Sequence, residues 1–218
     1  MKKTLLAIYF VFGLMGQTLA DILVLDLNNS TEEIEAIKNA ARSRRPRENV
    51  YVIPDRNNQN SHCQQQRSNN LSQRLTDCLR ELTNNNINIS GLVISGHYDR
   101  SHFYGKNDDG EHIWETNYRE IMRAFNQFPS QRNSITETYL WACYANRPRA
   151  ARDWHQLFPN ADMIAGFDFA GPAQTTIAGP AMLEGIMRQY PRYHQEHNIR
   201  RFTRWLQNFT GPAGGGAD

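Results

Sequence analysis

Short apolar runs alternate with stretches of helical periodicity from Asp21 to about Phe209, and this alternation limits the available folds more than any other feature. A strand covered on both faces reads as a continuous apolar run, and a chain that must return parallel to such a strand needs a crossover, usually helical. The rhythm therefore predicts βαβ units and an α/β fold: a three-layer α/β/α sandwich built on a mostly parallel sheet.

The first strand is Asp21 to Leu27. Asn28, Asn29 and Ser30 then cap a helix from Thr31 to about Arg42, where Ile34, Ile37 and Ala41 recur at helical spacing. Glu32, Glu33 and Glu35 occupy its first turn, where carboxylates suit the positive end of the helix dipole. Val50 to Pro54 is the second strand, Leu71 to Leu82 the second helix and Ile87 to Ser95 the third strand. The segment His97 to Glu111, dense in Gly, Asp and His, reads as a loop. A helix near Asn117 to Phe128, a strand from Ile135 to Ala142, a helix from Pro148 to Leu157 and a strand from Ala161 to Phe167 follow, with the remainder helical. There is no internal repeat and no domain boundary, so residues 21–210 are expected to form one domain. The glycine-rich end, 211–218, has nothing to pack and is expected to be a flexible tail.

Residues 1–20 have a different character. Lys2-Lys3, an apolar run from Leu5 to Met15 and the small-residue end Gln17-Thr18-Leu19-Ala20 follow the order of a cleavable secretory signal, with the cut expected after Ala20. The run of about 11 residues is short of the roughly 20 that a spanning helix needs, so no stable membrane insertion is expected after cleavage. The expected location is periplasmic or secreted. Losing Lys2 and Lys3 brings the basic count from 24 to 22, level with 22 acidic residues, and that balance does not suggest a nucleic-acid partner. The locally basic stretch from Arg188 to Arg204 reads first as a solvated helix face and second as a patch for an anionic partner.

Three cysteines in an oxidising compartment leave one unpaired. Cys63 and Cys78 are close in sequence and flank a polar loop, whereas Cys143 sits inside an apolar strand-like run. The expected disulfide therefore joins Cys63 to Cys78, leaving Cys143 as the thiol.

In open parallel sheets the ligand crevice lies beyond the carboxyl ends of the strands. The third strand runs out as Ile94-Ser95-Gly96-His97-Tyr98, and the fourth as Leu140-Trp141-Ala142-Cys143-Tyr144. One exit delivers an imidazole and the other a thiol, 46 positions apart. A thiol near pKa 8.5 is mostly protonated at neutral pH and needs a base to become the attacking thiolate. Sequential strands joined by a crossover commonly lie side by side, which would place His97 and Cys143 within mutual reach. The helix that begins after Asn146 would also turn its positive end toward the thiolate.

An apolar strand closing in Ser-Gly-His and another closing in Ala-Cys resembles the caspase-type cysteine peptidases, the group that includes legumains and the clostripain-like and gingipain-like enzymes. The resemblance implies that His97 is the catalytic histidine and Cys143 the nucleophile, with Ala142 in the small position before it. The spacing is near the roughly 50 residues expected for caspases. It also implies an oxyanion hole formed by the backbone N–H groups of Tyr98 and Cys143, peptide or protein substrates, and no cofactor. The chain departs from the family pattern at Tyr98, where glycine is usual, at Trp141, where Gln or an acid is frequent, and at Ala145, where Gly or Ser is common. Two expectations follow: an exported His/Cys endopeptidase, or a catalytically inactive binding module on the same scaffold.

Other residues carry weaker signals. Asp168, closing the fifth strand, is a candidate for substrate binding, as is Asp26, although acids at strand ends often cap the next turn. Asp55 shares that ambiguity, and Asp99 either orients His97 or holds its own turn. His97, His102, His112 and Cys143 match no compact zinc motif, so no metal is expected. No Gly-x-Ser-x-Gly elbow, phosphate loop or dinucleotide fingerprint is present.

Overall fold

A computed structural model describes residues 20–55, 61–63, 70–106, 112–143, 145, 148–167 and 178–195. The segment up to Leu19 expected to be a signal, Asp168 and the C-terminal stretch expected to be a tail therefore lie outside the described residues.

The chain is α/β, as its patterning predicts. In order, the elements are β1 (Ala20–Asp26), α1 (Thr31–Ser43), β2 (Val50–Ile53), α2 (Leu71–Asn84), β3 (Asn88–Ser95), β4 (His97–Tyr98) and β5 (Phe103–Lys106). They continue with β6 (His112–Thr116), α3 (Tyr118–Asn126), α4 (Pro129–Ser134), β7 (Glu137–Trp141), α5 (Pro148–Leu157), β8 (Met163–Gly166) and α6 (Ala178–Gln195). Five strands form one sheet in the order β2-β1-β3-β7-β8, and every pair in it is parallel.

Alternating side chains divide the apolar strands between two cores. Leu23, Leu25, Leu92, Ile94 and Leu140 point to a cluster shared with Leu75 and Leu79 of α2, Ile121 and Phe125 of α3, and Trp154 of α5. Ile22, Val24, Val93, Tyr139 and Trp141 point the other way, onto Ile37 and Ala40 of α1 and Leu183, Ile186 and Met187 of α6. The result is helix, sheet, helix. A fully buried Leu or Ile contributes about 1.5–3 kcal/mol through burial, so the two clusters supply most of the drive to fold.

Caps fix where the helices begin. Ser30 accepts from Glu33 N and Asn70 from Gln73 N, while Asn117 and Glu120 form a reciprocal capping box at α3. The disulfide joins Cys63 and Cys78, pinning the segment before α2 to α2 itself.

The structure corrects two local expectations. The segment read as a loop from His97 to Glu111 contains strands β4 and β5, which with β6 build a second, antiparallel sheet in the order β4-β5-β6. The β-favouring pairs Phe103-Tyr104 and Ile113-Trp114 carry the strand signal, set among turn-favouring Gly, Asp and His. A short helix, α4, also stands where only a connection was expected. Pro129 starts it, and Gln131, 1% exposed, secures it by donating to Ile87 O at 2.6 Å and accepting from Ile89 N at 3.1 Å.

Candidate functional site

The carboxyl ends of β1, β3 and β7 meet at one place. The chain reaches β2 on one side of β1 and then returns to β3 on the other, so the topological switch point, where such sheets form their crevice, lies between β1 and β3. Beyond the regular ladder, Leu27 N donates to Ser95 O at 2.9 Å and Gly96 N donates to Trp141 O at 3.3 Å, tying the three exits together.

Ser95 is the register partner of Trp141 across the parallel pair. His97 and Cys143 each stand two residues further on, at neighbouring exits. The chain turns at once after β7, with Ala142 N donating to Leu140 O at 2.9 Å, and Cys143 occupies that turn. Cys143 is outside the disulfide, and both it and His97 are half-buried. A thiol in that setting is neither sealed in the core nor fully solvated. Helix α5 begins five positions after Cys143.

Tyr98 does not project as an isolated bulky group. It pairs with Phe103 in the β4/β5 ladder, its ring lies 4.6 Å from the Phe103 ring, and it packs against the core that holds Phe103. His97 is paired with Tyr104 in the same ladder, and their rings stack with centroids 5.3 Å apart and an interplanar angle of 23°.

The acidic candidates are placed unequally. Asp26 is 5% exposed, and its Oδ1 accepts from Ser30 N at 3.3 Å, which gives it a role in the turn entering α1. Asp99 accepts from the Ser101 hydroxyl at 2.7 Å and from Ser101 N and His102 N at 2.8 Å; these bonds hold its carboxyl down at about 2 and the turn between β4 and β5 in place. His102 closes that turn, its Nδ1 2.9 Å from the Ser101 hydroxyl and its Nε2 3.6 Å from Glu115. Asp168 lies outside the described residues.

One first-turn carboxylate of α1 has a place in this region that its position on the helix dipole does not convey. Glu33, 2% exposed, lies under the switch point, where the Ser95 hydroxyl donates to its carboxylate and Trp141 and Asn28 also hydrogen-bond to it. Burial pushes its pKa up to about 7, the nearby Asp26 charge adding to the rise and the hydrogen bonds opposing it. The signal was available in principle: Glu33 falls on the same helical stripe as Ile37, Ala40 and Ala41, which face the sheet.

Two cavities formed by described residues lie away from the His97 and Cys143 exits. One, of about 590 Å³, is a polar groove between α2 and α3 lined by residues such as Gln73, Arg80, Glu120 and Arg123. The other, of about 640 Å³, opens at the amino end of the sheet over Arg44 and Glu137 and includes Arg188 and Arg192 of α6. Arg188 is exposed and paired with Glu184, and His194 Nδ1 lies 2.7 Å from Asp162, so carboxylates face this part of the basic stretch.

No protein-family model matches the chain, and no curated protein matches it in sequence. Among the described residues no helix is long and apolar enough to cross a membrane.

Proposed function

We propose that this chain is an exported cysteine endopeptidase of the caspase-like type. Cys143 Sγ attacks the carbonyl carbon of a peptide bond, and His97 takes the thiol proton and returns it to the departing amine. Water then hydrolyses the thioester, with His97 as base. The backbone N–H groups of Tyr98 and Cys143 are assigned to the oxyanion. Peptides or proteins are the substrates, and the periplasm or the extracellular space is the setting, a location with which the Cys63–Cys78 disulfide agrees.

The observation that carries this reading is the parallel pairing of β3 with β7 in the register Ser95 to Trp141, which brings an imidazole and a half-buried thiol to neighbouring exits. The test has two parts. Iodoacetamide at pH 6 is expected to alkylate Cys143 faster than a free cysteine, because the peptidase reading requires a nucleophile activated by His97. A peptide mixture incubated with the protein is expected to show cleavage that Cys143→Ala abolishes and that His97→Ala reduces by about 100- to 10,000-fold.

A second reading, a binding module that keeps the scaffold without catalysis, is favoured by one observation. Tyr98 stands where the resemblance calls for glycine, and its ring is committed to packing on Phe103. Slow alkylation at pH 6 together with intact peptides would establish that reading and sink the peptidase.

A further inference from the structure

Resting on the peptidase reading, we propose that Tyr104 is the positioning residue for His97, its ring holding the imidazole in one orientation and favouring the protonated form that pairs with the Cys143 thiolate.

The contact is the stacked pair already described, 5.3 Å between centroids and 23° from parallel. What makes it more than a surface contact is how β5 is seated. A Cβ on Gly105 would stand 1.6 Å from Leu27 O, and one on Gly96 would stand 3.0 Å from Tyr104 O. Only glycine permits such approaches, so the backbone carrying Tyr104 lies directly on the β1 exit and on the residue before His97. Phe103, 1% exposed, anchors the other face of β5, edge-on to Trp154 at 6.2 Å. Alternation along the strand then turns Tyr104 toward His97. An imidazole swings about two side-chain torsions, and a ring held on a seated strand removes that freedom. The negative face of an aromatic ring within about 6 Å also attracts a cation, favouring imidazolium over imidazole.

Four charged groups among the described residues, together with the Cys143 thiol, bear on this pair. Lys106 Nζ lies 5.7 Å from the Tyr104 ring and competes for it. Glu115, the register partner of Tyr104 on β6, lies 3.6 Å from His102. Asp26, the register partner of Ser95, and Glu33, which accepts from the Ser95 hydroxyl, are buried, and Cys143 stands at the neighbouring exit. Of these groups Lys106 touches the Tyr104 ring, so Lys106→Met separates the effect of its charge on His97 from that of the ring.

The experiment is an NMR titration of the His97 ring in the wild type, Tyr104→Phe, Tyr104→Leu and Lys106→Met, alongside the pH dependence of kcat/KM. Tyr104→Leu is expected to lower the His97 midpoint by about 0.4–0.7 pH units and to move the alkaline limb of kcat/KM down equally, while Tyr104→Phe restores both. Lys106→Met, an exposed change that leaves packing alone, is expected to raise the midpoint. Identical midpoints in the folded variants overturn the proposal. If Tyr104→Leu does not fold, an unshifted Lys106→Met overturns it. A protein that cuts no peptide but shows these shifts instead overturns the peptidase reading and upholds the coupling of Tyr104 to His97.

Discussion

Ser95 and Glu33, 62 positions apart in sequence, meet at the switch point of the sheet, where the serine hydroxyl donates to a buried carboxylate that titrates at about 7. That proton makes stability depend on pH. The folded pKa lies above the ordinary 4.5, so the native state binds the proton more tightly than the unfolded chain does. The contribution is complete below about pH 4.5 and is lost as pH rises to about 7, a difference of about 3 kcal/mol. Glu33→Gln, which keeps the shape and cannot ionise, should therefore lose ground to the wild type at pH 5 and recover it at pH 8. Urea midpoints at the two values test this, and an offset independent of pH would count against it.

At the other end of the sheet, Arg44 and Glu137 form a buried pair with side chains 3% and 1% exposed, and Arg44 Nη1 also pairs with Glu48 at 2.8 Å. Arg44 Nη2 reaches Glu137 Oε2 at 3.0 Å and Met187 O at 2.9 Å, and the Tyr139 hydroxyl donates to the same carboxylate. Burying the two charges is costly, but removing one partner strands the other. Arg44→Ala is expected to cost about 3–5 kcal/mol, whereas replacing both Arg44 and Glu137 with Met leaves only the less buried Glu48 without its partner and should recover part of the loss. A double variant no more stable than the single would show that the charges themselves are needed.

Gly105→Ala should displace the small antiparallel sheet, because the new methyl would fall within bonding range of the Leu27 carbonyl, which belongs to backbone and cannot swing aside. The loss should reach the upper end of the about 1–3 kcal/mol typical of overpacking. Near-UV circular dichroism should also change as Tyr104 leaves His97. An unchanged melting temperature would mean that β5 is not seated on the β1 exit.

The disulfide closes a loop with a sequence separation of 15 between two residues each 1% exposed. Replacing Cys63 and Cys78 with Ala is expected to lower stability by about 3 kcal/mol, chiefly by releasing the unfolded chain. Denaturant midpoints of the variant and the oxidised wild type give the comparison, and equal midpoints would assign the bridge no role in stability.

The sheet was legible because its evidence is local. Runs such as Ile22-Leu23-Val24-Leu25 and Leu92-Val93-Ile94 declare strands covered on both faces, and the stripe of Ile34, Ile37 and Ala41 declares a helix lying on them. Strand exits follow from where such runs stop, so His97 and Cys143 could be picked out before their strands were known to be neighbours. The pairing of Cys63 with Cys78 was legible for a similar reason, since proximity in sequence limits the partners.

The small sheet was less legible, because Gly105 and the turn at Asp99 look like loop residues until the strand they serve is seen lying on Leu27.

From the sequence by itself came the α/β class, the positions of the strands in the main sheet and the disulfide, all of which rest on periodicity or spacing over a few residues. Only the tertiary structure decided the strand order, the partners of Glu33, the pairing of Arg44 with Glu137 and the stacking of Tyr104 on His97. The physical reason is that the state of a charged or aromatic side chain is set by its partners, and for Glu33 and Arg44 these come from segments 62 and 93 residues away, beyond any local pattern.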